Sequence, residues 1–374
     1  MSFCFYLMEI KEVITRKDRK AFVRYPRHLY KACPHYVPPL DKKELQIIEH
    51  HPALDFCTLK LWMAIRDGQV VGRIGGVVNH KCNELKGQRR VRFGWFDTVD
   101  DIEVARALLN TVEEWGRAQG MNEICGPSRF SNLEKQSMLI EGFDHTPSIV
   151  SDYNYPYYPQ LIDELGFEKE VDYVQYRVKV NELSERMTHL ADVLSKRYHV
   201  HLRHFDNKAQ MKKSGMEFFR VLNESYTHIF NFIPLTDAEI NWAIKDNFQV
   251  ADIDMSAMLE DENGRLVGFA FCLPSLSEAF RKANGSLFPT GWFHILRALK
   301  KNKFVDLYLT GVLPEYMHSG VHAIYHKELH KIFLDRGFEY AFTSQQLEDN
   351  IAARIWSKYE SELYFRRRCY KKGI

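Results

Sequence analysis

No stretch of the 374-residue chain reaches the roughly 18 to 20 unbroken apolar residues of a membrane span. The segment Met1 to Ile14 lacks a charged start, a long apolar run and a small-residue cleavage site, so no secretion signal is expected there. The seven cysteines are odd in number and contain no C-x-x-C pair. Neither a zinc site nor a disulfide framework is therefore expected, and scattered thiols point to a cytoplasmic protein. Charge of one sign is also lacking: 51 basic and 49 acidic residues leave +2, with no basic track long enough for nucleic acid. Any anionic ligand must be held by a local site. What is present is the composition of a folded chain, 45% hydrophobic and 27% charged. Aromatics reach 13%, which suits either a ring-lined groove or large cores.

A weak internal repeat organises the chain. Asp67-Gly68-Gln69-Val70-Val71-Gly72 resembles Asn263-Gly264-Arg265-Leu266-Val267-Gly268, each a hairpin turn followed by an apolar strand. Each is preceded by another apolar run, Leu59 to Ile65 and Met255 to Leu259. Farther on, each half carries an amphipathic helix that stops at a glycine: Val104 to Gln119 before Gly120, and Val321 to Arg336 before Gly337. Two mixed α/β domains of similar design follow, over residues 1–185 and 186–374, joined through the polar helical segment Asn181 to Arg197. The paired glycines stand 48 residues apart in the first half and 69 in the second. The excess falls in Ser275 to Lys303, where large apolar and basic residues interleave. That pattern fits an interfacial membrane helix or a lid over a greasy ligand, and equally a surface helix packed on its own domain.

The sharpest local signal is Asp306-Leu307-Tyr308-Leu309-Thr310-Gly311-Val312-Leu313-Pro314-Glu315-Tyr316-Met317-His318-Ser319-Gly320-Val321-His322-Ala323. A strand runs into Val312, Pro314 breaks it, and a loop closes at Gly320 where a helix begins. Backbone N–H groups at such a helix start form a concave anion site. An ordinary strand-to-helix turn is the bland alternative. The segment resembles the acyl-CoA pyrophosphate loop of the GNAT acyltransferase superfamily, V-x-P-x-x-R-x-x-G-x-G/A. Val312, Pro314 and Gly320 match; Met317 replaces the usual Arg or Gln, and His322 replaces the second Gly or Ala. By that resemblance Val312, Leu313, Met317, His318, Ser319, Gly320, Val321, His322 and Ala323 are the expected thioester-binding residues. Asn350 joins them, as the start of the superfamily's N-x-x-A-x-x-x-Y helix. That element's Tyr position is Ser357 here, with Tyr359 two residues beyond. The corresponding loop of the first half, Phe96 to Asp101, has no glycine and three acids, so no cofactor is expected there.

Across nearly the whole chain, short blocks in order resemble the tandem-GNAT group that includes bacterial ceramide synthase-like proteins. These blocks include Tyr36-Val37-Pro38-Pro39-Leu40, Gly72-Arg73-Ile74, Gly126-Pro127, Glu141-Gly142-Phe143, Tyr153 to Tyr158, and Leu347 to Asn350. The resemblance implies two tandem GNAT-like domains, each a mixed, mostly antiparallel sheet flanked by helices, with the thioester in the second. It also implies N-acyl transfer from acyl-CoA or an acyl carrier protein, without a metal, to an amine, the best specific expectation being a sphingoid-type lipid amine.

Amine attack on a thioester needs a polarised carbonyl, a proton acceptor and a protonated leaving thiol. The carbonyl donor is expected from the Val312 or Leu313 N–H. Glu134 and Glu348 are the candidate bases, although loop acids are more often solvated or paired, and Tyr158 is the candidate donor to the thiolate, although a groove or core role is the commoner one. His322, His326 and His330 share one side of a helix but miss the zincin spacing, and a surface or partly packed face is the expectation. The basic run Arg366-Arg367-Arg368 reads as a solvated strand edge. A peripheral position at the inner membrane face is consistent with the 275–303 insertion. Three rivals stay open: a retired GNAT-fold protein that binds a lipid or partner, an acetyltransferase of a small polar amine, and transfer from aminoacyl-tRNA, the last disfavoured by the balanced charge.

Overall fold

The computed structural model describes residues 8–247, 250–350, 353 and 355–374. Part of the Met1 to Ile14 segment, including Cys4, lies outside them. Both expected hairpins form. In the first, strands β2 (Cys57–Arg66) and β3 (Gln69–Asn79) turn through Asp67 and Gly68, both left-handed at φ +53° and +72°. Such a turn matches the twist of its flanking strands, and an Asp-Gly pair adopts it at little cost. In the second hairpin, β9 (Ser256–Asp261) and β10 (Leu266–Pro274) are joined by a wider loop in which the Gly264 N–H donates to the Asp261 carbonyl.

The two helices after the repeated hairpins form as their periodicity predicts. Helix Ile102–Ala118 is capped by the Asp101 carboxylate, which accepts the Glu103 N–H at 2.9 Å, and it buries Val104, Leu108, Leu109 and Val112 against the sheet. It seats on Gly72, where an added Cβ would lie 2.7 Å from Leu108 Cδ1, so only glycine permits that approach. Helix His322–Asp335 buries Ile324, Tyr325, Leu329, His330 and Phe333, and the chain turns away at Gly337.

The remaining strands are β1 (Glu9–Glu12), β4 (Arg90–Thr98), β5 (Glu123–Gly126), β6 (Met138–Glu141), β7 (Glu168–Lys179), β8 (Val200–Leu202), β11 (Phe304–Val312), β12 (Tyr340–Thr343), β13 (Gln346–Leu347) and β14 (Ser361–Gly373). Among the described residues these make one sheet in the order β1-β2-β3-β4-β5-β14-β7-β12-β11-β10-β9-β8, with β6 on β14 and β13 on β7. Two neighbouring pairs are parallel, β4 with β5 and β11 with β12; the rest are antiparallel.

The centre of the sheet joins the halves. The last strand of the chain, β14, lies between β5 and β7 of the first half, and β7 in turn pairs with β12 of the second. This corrects the expectation of a solvated edge at Arg366 to Arg368. Arg367 is fully buried, with Nε donating to Gln175 Oε1 at 3.0 Å and a terminal nitrogen to the Asp152 carbonyl at 2.7 Å. Burial pushes its guanidinium down to about 10.

Candidate active site

In each half a parallel strand pair is hydrogen-bonded at its start and then splays. β4 pairs with β5 over Arg90–Arg92 and runs on alone to Thr98; β11 pairs with β12 over Phe304–Leu307 and runs on alone to Val312. The two openings occupy matching places, since Thr98 sits opposite Gly72 as Val312 sits opposite Gly268. They differ in what meets the exposed backbone.

In the first half the opening is sealed from within. The Tyr158 hydroxyl accepts the Thr98 N–H at 2.8 Å, lies 3.1 Å from the Thr98 carbonyl, and receives the Tyr30 hydroxyl at 2.9 Å. The Tyr157 hydroxyl donates to the Thr98 carbonyl at 2.7 Å. Asp97, one of the loop acids, is spent on Arg73 Nε at 2.7 Å and Tyr30 at 2.9 Å. Tyr158, expected near the leaving thiol, is instead a fully buried plug in the first-half core, and burial holds its phenol well above the ordinary tyrosine range.

In the second opening, among the described residues, no hydroxyl meets Val312 as Tyr158 meets Thr98. The Leu313 N–H donates to the Val267 carbonyl at 2.8 Å, which removes Leu313 as a carbonyl-polarising donor. Alternation along an antiparallel strand then turns the N–H groups of Val312 and Thr310 away from β10 and into the splay. The Tyr226 hydroxyl confirms that orientation, reaching the Thr310 carbonyl at 3.0 Å from the splay side.

Past Val312 the loop folds as one tight unit. Tyr316 N–H donates to Leu313, Met317 N–H to Pro314 and Ser319 N–H to Tyr316, while the Ser319 hydroxyl accepts the Val321 N–H at 3.2 Å. Gly320 is left-handed at φ +81°. Among the described residues the backbone N–H groups of His318 and Gly320 donate to no carbonyl, and they precede the positive end of helix His322–Asp335. Ala323 spends its N–H on Gly320. Burial and the Lys358 ammonium push His322 below the ordinary imidazole value. Met317 brings no charge to the loop, so an anion placed there would meet backbone N–H groups and the helix dipole.

On the helix side of the splay a cavity of about 20 Å³, the size of one water, is lined by Thr310, Tyr325, His326, His330, Trp356 and Tyr359, among others. Burial and the flanking histidines push His326 down to about 3, and His330 Nε2 is buried without a partner. Among the described residues no group of three or more His, Cys, Asp and Glu could hold a metal. Asn350 caps the turn before this wall: its N–H donates to Leu347 and its carbonyl accepts from Ala353. Tyr359, two residues past the Ser357 of the expected motif position, is one of two phenols lining this cavity, with Tyr325, and burial raises it to about 12.

On the opposite side lies a larger cavity of about 350 Å³, built from both halves. Gln175, Arg177, Phe342, Thr343, Tyr364 and Phe365 line it from the central strands, and Lys282, Arg297 and Lys301 from the insertion. Asp306 of β11 also lines it. Only 4% of Asp306 is exposed, its Oδ2 has no partner, and burial raises the carboxyl to about 7, opposed by the Ser275 hydroxyl. Two residues along the strand, the Tyr308 hydroxyl is likewise buried without a partner.

The expected bases lie elsewhere. Glu134 sits in the β5–β6 connection, 2.9 Å from His51 Nε2, with its second oxygen accepting the Phe130 N–H at 3.3 Å. Glu348 is a surface acid, 45% exposed, paired with Arg366. Asp306 was legible in principle as the lone acid of the apolar run Val305-Asp306-Leu307-Tyr308-Leu309, a buried strand with a carboxylate in it.

No family model matches the chain. Among solved structures, a tandem GNAT protein from the clavulanic acid biosynthesis pathway superposes with a TM-score of 0.57 over 98% of each chain, at 12% identity. This is the tandem GNAT fold. Two curated relatives align along most of their length: Protein YghO of Escherichia coli K12, 28% identical over 98% of this chain and 95% of that protein, and the bacterial ceramide synthase of Caulobacter vibrioides, 27% identical over 83% and 82%. Among the described residues, the second copy presents an open splay, a glycine-bearing loop and, on the same strand, a buried acid with one carboxylate oxygen unpartnered.

Proposed function

We propose that the protein is an N-acyltransferase that binds an acyl-thioester in the splay of β11 and β12 and its amine acceptor in the 350 Å³ cavity between the halves. The observation that carries this reading is the contrast between Thr98, whose N–H is occupied by Tyr158, and its counterpart Val312, whose N–H faces an open splay above the Gly320 loop. The loop N–H groups of His318 and Gly320 hold the diphosphate of a coenzyme A thioester. Thr310 or Val312 N–H polarises the thioester carbonyl as it becomes an oxyanion. The amine nitrogen attacks the carbonyl carbon, its proton leaves toward Asp306, and the C–S bond breaks to give a thiolate that takes a proton from Tyr359.

Asp306 and Thr310 are four residues apart, about 13 Å at a strand rise of ~3.3 Å per residue. In the proposed reaction Tyr308 and one or two waters would relay the proton across that span. A carboxyl near 7 is matched to accept and return a proton at neutral pH. Replacing Asp306 by Asn is expected to lower kcat by about 10²–10⁴-fold and to abolish the rise in rate through pH 7, while thioester binding by calorimetry stays unchanged. An unaltered pH–rate profile would remove Asp306 from the mechanism.

The finer reading, a long acyl chain moved to a lipid amine, is supported by the aromatic and apolar walls of the cavity and by the name of the Caulobacter relative. One observation favours a narrower acceptor class. Lys282, Arg297 and Lys301 line the cavity without a carboxylate partner among the described residues, whereas Glu278 is paired with Arg281. An amine that also bears a phosphate or carboxylate would satisfy them, whereas a simple cationic sphingoid base would be repelled. Turnover of long-chain acyl-CoA with sphinganine against an amine carrying an anionic group separates the two. Calorimetry with long-chain acyl-CoA, acetyl-CoA and coenzyme A tests the donor: equal binding of all three points to a small-acyl enzyme, and no binding to a carrier-protein donor or a retired site.

A further inference from the structure

From Ala279 to Lys303 the chain has six basic residues and no acid. Arg281 pairs with Glu278 and Lys303 with Glu339. The other four, Lys282, Arg297, Lys300 and Lys301, pair with no carboxylate among the described residues and are all solvent-exposed. Among the described residues the large exposed apolar side chains are most numerous in this same segment: Leu287, Phe288, Trp292, Phe293 and Leu296, with Phe288 79% exposed and Phe293 51%. A globular protein scatters such side chains singly; a contiguous patch with a cationic rim marks a contact surface.

The patch sits on a fixed platform. Arg27 donates to the Asn284 carbonyl at 2.5 Å, the Asp41 N–H to the Gly285 carbonyl at 2.9 Å, and the Ser277 hydroxyl to the Pro147 carbonyl at 2.8 Å, so the insertion is tied to the first half at three points. Asn302 ties its far end back to the Ser275 carbonyl at 2.6 Å. Within helix Gly291–Lys300, Trp292, Phe293 and Leu296 project to solvent, whereas His294, Arg297 and Ala298 line the 350 Å³ cavity. Lys282, Arg297, Lys301 and Phe304 line the cavity and are also exposed, so the cavity opens on this face.

We propose that the surface formed by Leu287, Phe288, Trp292, Phe293 and Leu296, rimmed by Lys282, Arg297, Lys300 and Lys301, docks on an anionic phospholipid bilayer and places the cavity mouth against the headgroup layer. Aromatic and aliphatic side chains flanked by lysines that can reach the lipid phosphates are the chemistry of an interfacial anchor. The cationic rim, uncompensated by any acid in the segment, supplies complementarity to a negatively charged leaflet. Seated there, the protein draws an amphiphilic substrate along the surface into the cavity rather than through water. This deepens the acyltransferase reading in naming where its lipid substrate comes from, but the docking itself needs no turnover.

The test is co-sedimentation of the full chain with vesicles of phosphatidylcholine alone and with added phosphatidylglycerol. Binding is expected to the anionic vesicles, to weaken at least about tenfold in 0.5 M salt or without phosphatidylglycerol, and to fall by a similar factor in Phe288→Asp/Trp292→Ser. Both side chains are exposed and outside the cavity lining, so this variant is expected to keep the wild-type melting curve. Absence of wild-type binding to anionic vesicles overturns the proposal, as does unchanged binding by the double variant. Capture of an acidic carrier protein through this patch, with no vesicle binding, overturns it in favour of a protein contact. Vesicle binding with no acyl transfer to any amine would leave the docking standing and the acyltransferase reading fallen.

Discussion

Asp306 shows how one side chain couples stability to chemistry. Its carboxyl titrates near 7 in the folded chain against 3.8 in an unfolded one, because burial disfavours the charged form. The folded state therefore holds the proton where the unfolded state has lost it. Stability conferred by the neutral acid is complete below about pH 4, declines as pH rises to about 7, and is flat above. Over that window the loss is on the order of 4 kcal/mol at most. Asp306→Asn has no such titration, so the difference in unfolding free energy between variant and wild type is expected to grow from pH 4 to pH 7. Denaturant titrations at three pH values check this; a pH-independent difference would mean that Asp306 is ionised throughout. Keeping a buried acid with one oxygen unpartnered costs stability, and the proposed reaction gives that acid a use.

At the scale of elements, the loop from Leu313 to Val321 shows what a sequence pattern can and cannot carry. Val312, Pro314 and Gly320 were legible because a strand end, a break and a left-handed turn are each written in one residue type. The choice between Val312 and Leu313 as backbone donor was not, because it depends on the register of β11 against β10, which the Leu313–Val267 hydrogen bond sets. If the loop holds the diphosphate as proposed, Met317 stands where a guanidinium would reach it. Met317→Arg is expected to tighten coenzyme A binding about tenfold or more, the effect of a charge-assisted hydrogen bond, read by calorimetry. No change would show that the loop does not hold a phosphate.

At the scale of the molecule, the halves are not independent. β14 completes the first half's sheet and β7 bridges to the second, so each half depends on a strand paired across the repeat. Residues 1–185 expressed alone would leave β5 and β7 without the strand that lies between them. That fragment is expected to show no cooperative melt, whereas the whole chain melts in one transition by circular dichroism and calorimetry. A sharp melt of the fragment would show that the shared sheet is dispensable.

The sequence by itself determined the local grammar of this protein: two hairpins, two glycine-stopped helices, a strand-to-helix loop, and an insertion rich in bases and rings. These are read from residues within a turn or two of one another, where φ preference and periodicity act directly. Tertiary structure alone decided which repeat is open. Tyr158 seals Thr98 across 60 residues of chain, and among the described residues no side chain does the same at Val312. It also decided that Arg367 is interior rather than at an edge, that Asp306 is buried at a cavity wall, and that Phe288 is not. Each of those outcomes depends on strand partners and packing neighbours far apart in the chain, and periodicity fixes which face a residue takes without saying what will cover it.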